Sequence, residues 1–142
     1  MSYTDDYLHQ VARVVEGLDR QALDALVDLF VCVRQAGGRL FILGVGGSAG
    51  NAGHAVNDFR KLAGIEAYAP TDNVSELTAR INDDGWDTSF ALWLEGSRLQ
   101  SKDFVLVFSV GGGHREMSVS INLVKALEYA QNVGAHIGGI VG

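Results

Sequence analysis

Residues 39–48 read Arg-Leu-Phe-Ile-Leu-Gly-Val-Gly-Gly-Ser. A short, uninterrupted apolar run that breaks into glycines is the pattern of a strand buried on both faces and ending in a tight turn. The polar and small residues that follow, through about Leu62, predict a helix. Unpaired backbone N–H groups and the positive end of the helix dipole meet at such a junction. Glycines let an oxyanion approach that backbone closely, and Ser48 adds a hydroxyl donor. The stretch from Leu40 to Asp58 therefore predicts an anion-binding site. Its spacing departs from the dinucleotide fingerprint, because Ala49 follows where glycine is needed, and it lacks the Gly-Lys-Ser/Thr of a P-loop.

Working outward, the pattern repeats. Asp103–Ser109 reads as a second buried strand, Gly111–Gly113 as a second glycine turn and 118–133 as a helix, with His136–Val141 as a third buried strand. Glu66–Ala69 suits a short strand, Pro70–Asn73 a turn and the residues from Val74 a helix of about two turns. Asn82-Asp-Asp-Gly85 reads as a further turn, and 87–99 as an amphipathic helix with Phe90, Trp93 and Leu94 inward. Before the first strand, Tyr7, Leu8, Val11, Val14 and Val15 recur at helical spacing. Gly17 interrupts, Asp19 suits an N-cap, Leu23, Leu26, Val27, Phe30 and Val31 form a second apolar stripe, and Gly37-Gly38 ends it. Alternating strands and helices with continuous apolar strands mean an α/β fold with a parallel doubly wound sheet, preceded by N-terminal helices. We read 1–142 as one domain, with helices over 1–37 and the α/β core over 38–142.

Bulk properties narrow the function. The chain has 142 residues, 47% hydrophobic and 20% charged, an ordinary globular composition. The net charge of −6 and the lack of a basic patch argue against nucleic acid as a partner. No apolar run reaches the roughly 18 residues of a membrane span, and the polar N-terminus is no signal peptide. One cysteine, Cys32, forbids an internal disulfide and suits a reducing, cytoplasmic setting; its apolar surroundings predict a small buried hydrophobe.

Chemistry-bearing residues cluster around the two turns. His54 and Asp58 are four apart and share a helix face, a spacing open to metal ligation, to acid–base work or to a plain surface pair. After the second turn, Ser118 and Ser120 sit where hydroxyls cap helices and bind anions, and His114 and Arg115 bring positive charge near.

Taken in order, these motifs resemble a known family. Gly44-Val-Gly-Gly-Ser-Ala-Gly-Asn-Ala-Gly-His54 with Asp58 resembles the glycine-rich signature of sedoheptulose 7-phosphate isomerases, in the sugar isomerase (SIS) domain superfamily. Thr71-Asp72, Ser75-x-Leu77-Thr78-Ala79 and Asn82-Asp83-x-Gly85 match a further signature, and Val105–Ser109 with Ser120-x-Asn122-Leu-Val-Lys125-Ala matches a serine-rich phosphate loop. The resemblance implies a three-layer α/β sandwich of the SIS type and aldose–ketose isomerisation of a phosphorylated sugar through an enediol, in a homo-oligomer (dimer or tetramer). It implies Asp58 as base and, with His54, as catalytic pair and zinc ligands. Substrate contacts would come from Gly46, Gly47, Ser48, Asn51, Asn82, Asp83, Ser109, Gly111, Gly112, Ser118 and Ser120. The sequence departs from that pattern at Val45, where the family has Asn, and at Asp58, where it has Glu. It also departs in the hydroxyl-poor, lengthened second loop, and the family's C-terminal Gln and His have no counterpart up to Gly142. A phosphosugar-binding module without turnover, regulatory or partner-binding, is the alternative.

Overall fold

The computed structural model of the chain describes residues 2–142. They divide into two compact units, one up to Val31 and one of Cys32–Gly142.

The first unit is helical. Helix α1, Tyr3–Glu16, opens on a reciprocal capping box. The Asp5 amide donates to Ser2 Oγ at 3.2 Å, and the Ser2 amide donates to Asp5 Oδ2 at 3.0 Å. Gly17 ends the helix, as its position predicts. Asp19 then caps α2, Arg20–Gln35, accepting from the Gln21 and Ala22 amides at 2.9 and 3.1 Å. Helix α2 ends at Gly37-Gly38, whose amides donate to the Arg34 and Val33 carbonyls. Cys32 corrects an expectation. It is exposed, because the last turns of α2 bury Val33, about 100° further round the helix.

The second unit is the α/β core. Strand β1 is Leu40–Gly44, followed by α3 (Gly47–Lys61), β2 (Ala67–Tyr68), α4 (Val74–Asp84), α5 (Ser89–Gly96), β3 (Phe104–Ser109), α6 (Ile121–Val133) and β4 (His136–Val141). All strand pairs are parallel, in the order β2-β1-β3-β4, with Leu40 opposite both Ala67 and Phe104, and Phe104 opposite His136. From β1 the chain crosses to β2 on one side, then returns to β3 on the other. The direction of winding thus reverses between β1 and β3, which makes their carboxyl ends the topological switch point.

The sheet is buried by alternate residues. Phe41, Leu43, Val105 and Val107 pack with Phe90, Trp93 and Leu94 of α5 and Leu123, Ala126 and Ala130 of α6. The Trp93 ring stands edge-on to Phe41, with centroids 5.5 Å apart. Period two turns Leu40, Ile42, Phe104 and Leu106, all buried, to the other face, the side on which α3 packs against β1 with its own buried Ala52 and Val56. At the amino ends of the strands, wholly buried Asp103 accepts from the Arg39 and Gln100 amides and from the Arg39 guanidinium at 2.7 Å. That clamp lies opposite the switch point and fixes the register of β1 on β3.

Three expectations need correction here. The turn at Asn82-Asp-Asp is instead the last turn of α4: the Gly85 amide still donates to Ile81, and only the left-handed Gly85, φ 85°, stops the helix. α6 starts at Ile121 rather than near Ser118, since Ser118 and Ser120 are left-handed at φ 53° and 48°. β4 is mostly exposed: among the described residues it pairs with β3 alone, and α6 is the main helix packed against it.

Candidate functional site

The β1–α3 junction is built by two glycines with separate tasks. A side-chain carbon on Gly44 would lie 2.4 Å from the Ser48 carbonyl oxygen, so only glycine lets the first turn of α3 settle on the end of β1. Gly46, at φ 62° and ψ −124°, holds a backbone state that a side chain disfavours, and it caps α3 without a side-chain bond. Over Gly46, Gly47, Gly50 and Gly53 a side-chain carbon would meet nothing within 4 Å. The helix start therefore opens onto free space, with Ser48 half-buried beside it. This is the geometry in which backbone donors and the helix dipole receive an anion.

α3 turns Ala52 and Val56 into the core and Asn51, His54 and Asp58 outward. His54 Nε2 stands 3.3 Å from Asp58 Oδ2, and Asn57 Nδ2 donates to the other carboxylate oxygen at 3.1 Å. Asn51, His54, Ala55, Asp58, Phe59, Leu62 and Ala63 line a cleft of about 470 Å³. The expected pair thus exists, and Asn51 shares its cleft. Zinc is held by four ligands, three or more of them protein groups. His54 and Asp58 offer two, and no third His, Cys, Asp or Glu joins them among the described residues. Among the described residues, that pair alone does not complete a zinc site.

The β3–α6 loop leaves the neighbouring strand. Ser109 Oγ accepts from the Gly112 amide at 3.1 Å, so Ser109 and the glycine turn come together as expected. His114 and Val119 exchange backbone hydrogen bonds and close residues 114–119 into a small ring. The Arg115 guanidinium is paired with Glu128. Asn82 donates to Asp83 at 2.7 Å, but among the described residues no hydrogen bond or ion pair joins these two to His54–Asp58. Sequence reading missed one residue of this region, Asn122, which is wholly buried in the first turn of α6. Its place in the Ser120-x-Asn122 motif was the available signal.

Residues 3–142 match the family model described as SIS domain. The chain belongs to the SIS domain family. The likeness extends to individual proteins. A phosphoheptose isomerase of Synechocystis is 32% identical over 146 residues, covering 99% of this chain and 71% of that protein. A Thermoplasma volcanium protein described as a probable phosphoheptose isomerase is 31% identical over 134 residues, covering 91% of this chain but 65% of its own length. Among solved structures, phosphoheptose isomerases of Neisseria gonorrhoeae and Francisella tularensis superpose with TM-scores of 0.80 and 0.81. They share 22% and 20% identity and are covered over 76% of their lengths. At that identity they establish the fold, the parallel α/β sandwich of this SIS domain.

Proposed function

We propose that this SIS domain isomerises a phosphorylated sugar between aldose and ketose forms, with sedoheptulose 7-phosphate or a close relative as substrate. The observation that carries the reading is the pair of glycine turns at the carboxyl ends of adjacent strands, with the His54–Asp58 pair on the helix that leaves the first turn. The names of the relatives supply the substrate class. The open helix start at Gly46–Ser48 receives the phosphate, with Ser109, Gly111, Gly112, Ser118 and Ser120 on the facing loop and Asn51, Asn82 and Asp83 toward the sugar. Asp58 takes the proton from C2 of the aldose, leaving an enediolate, and returns it to C1, while the hydroxyl proton passes from O2 to O1. His54, its Nε2 3.3 Å from that carboxylate, orients it and donates toward the enediolate oxygen. Zinc at His54 and Asp58 would need further ligands from outside the described residues, and no step here depends on it. We place the enzyme in the cytoplasm and as a homo-oligomer.

The test is direct. Purified protein is expected to interconvert sedoheptulose 7-phosphate and an aldoheptose phosphate, and Asp58→Asn to lower kcat by about 100-fold or more while leaving ligand affinity near wild type. A second reading, a phosphosugar-binding module without turnover, is favoured by the single acid–base pair that the chain brings to the cleft. Binding without turnover, with and without added zinc, would replace the first reading by the second.

A further inference from the structure

Asn122 is second in α6 and has no solvent exposure, yet among the described residues neither its Nδ2 nor its Oδ1 has a hydrogen-bond partner. A buried amide left unpaired carries its full desolvation penalty, so a native protein retains one where something else completes it. Side chains on a helix tilt toward its amino end. By that tilt the Asn122 side chain leans toward the amino end of α6, where the 109–120 loop joins the helix. The loop lies down on that end: a side-chain carbon on Gly113 would come within 3.2 Å of Val124 and 3.6 Å of the Ser120 carbonyl. The helix end is also unfinished. Ser120 stands at the N-cap but is left-handed and makes no capping bond, and Ser118 is left-handed too.

Shielded from solvent, the Asn122 amide cannot touch an anion directly, but it can hold the backbone that does. We propose that Asn122 is a positioning residue of the phosphosugar site. Its carboxamide takes one loop carbonyl and one loop N–H as partners when the 109–120 loop settles on a bound phosphate. The inference rests on the phosphosugar reading above. An amide suits the task because it offers donor and acceptor together. An ionised carboxylate offers no donor, and a hydrocarbon offers neither.

The experiment compares wild type with Asn122→Leu and Asn122→Asp. Affinity for sedoheptulose 7-phosphate and for inorganic phosphate is measured by titration calorimetry, and ligand-free Tm by thermal unfolding. Asn122→Leu is expected to keep or raise the ligand-free Tm, since an apolar group of similar shape removes the orphaned amide, while Kd for the sugar phosphate rises about tenfold or more. Asn122→Asp is expected to bind weakly at neutral pH and to approach wild type, compared at the same pH, as acidification gives the buried carboxyl a proton to donate. An unchanged Kd in Asn122→Leu, whatever its Tm, overturns the inference. If that variant does not fold, an Asn122→Asp deficit that stays constant with pH overturns it. Wild type that binds the sugar phosphate beside an indifferent Asn122→Leu removes this inference alone. Wild type that binds neither probe removes the phosphosugar reading and this inference with it.

Discussion

At the scale of single residues, the first loop separates two uses of glycine that sequence shows as one run. Gly44 is needed for packing, since its missing side chain makes room for the Ser48 carbonyl. Gly47 is helical and open, so an alanine there meets no protein atom within 4 Å. Gly44→Ala is expected to cost about 1–3 kcal/mol through overpacking and to lower Tm by several degrees. Gly47→Ala is expected to leave stability unchanged or raise it by up to about 1 kcal/mol, because alanine is the better helix former. The same substitution places a methyl group where an oxyanion would approach, so phosphosugar affinity should fall about tenfold. Thermal unfolding and calorimetry on the two variants check both statements. A Gly47→Ala variant that binds as wild type would move the anion away from this backbone. The run Gly44-Val-Gly-Gly marked the loop correctly, but nothing in it distinguished the packing glycine from the open ones. That difference depends on where Ser48 returns in space.

At the scale of elements, what was legible followed local rules. β1 and β3 announced themselves as continuous apolar runs, and Asp19 and Gly37 marked the ends of α2 through side-chain and glycine capping. The misreadings came where a distant neighbour decides. His136–Val141 has the composition of an inner strand, yet with α6 as the main helix packed against it the strand is mostly exposed. Asn82-Asp-Asp carries turn chemistry, yet helix hydrogen bonding continues through it to Gly85. Ser118 and Ser120 look like helix-capping serines, yet Ser118 lies left-handed inside the ring closed by His114 and Val119, and Ser120, left-handed at the N-cap, makes no capping bond. α1 offers a titration that belongs to one element. Hydrogen bonds from Ser2, first from its hydroxyl and then from its backbone, hold the Asp5 carboxyl below its ordinary value of 3.8. A lowered folded-state pKa means the capping box stabilises α1 above the ordinary carboxylate range and loses that contribution as pH falls through the folded value. Amide exchange in the first turn of α1 should therefore speed up, beyond its intrinsic pH dependence, on acidification below about pH 4. Ser2→Ala should show the faster exchange already at neutral pH and little further change. Identical profiles for the two proteins would mean that the box does not hold in solution.

At the scale of the whole molecule, the question is what the apolar side chains of the first unit are for. α1 has no buried residue, yet it carries Tyr7, Leu8, Val11, Val14 and Val15, all exposed, and α2 adds exposed Leu23, Val27 and Val31. Single exposed apolar residues are ordinary, but stripes at helical spacing on successive helices are the pattern of a surface that another helix covers. The proposed homo-oligomer supplies such helices in the form of a second copy, and a net charge of −6 keeps the rest of the surface from associating without specificity. Light scattering after gel filtration is expected to give a dimer or tetramer at micromolar concentration. Burying a valine or leucine contributes about 1.5–3 kcal/mol, and an uncompensated carboxylate in its place costs more. Leu8→Asp with Val15→Asp should therefore shift the protein to the mass of one chain while the far-ultraviolet signal of the α/β core persists. A wild-type mass of one chain across that concentration range, or an oligomer indifferent to both aspartates, would show that a second copy does not cover these helices. If the doubly substituted protein is a folded monomer, its isomerase activity then separates two cases. Loss of turnover with phosphate affinity retained would mean that the His54–Asp58 cleft needs residues from a neighbouring chain, as its two-donor, openly exposed arrangement suggests. Retained turnover would mean that Asp58 and His54 act within one chain.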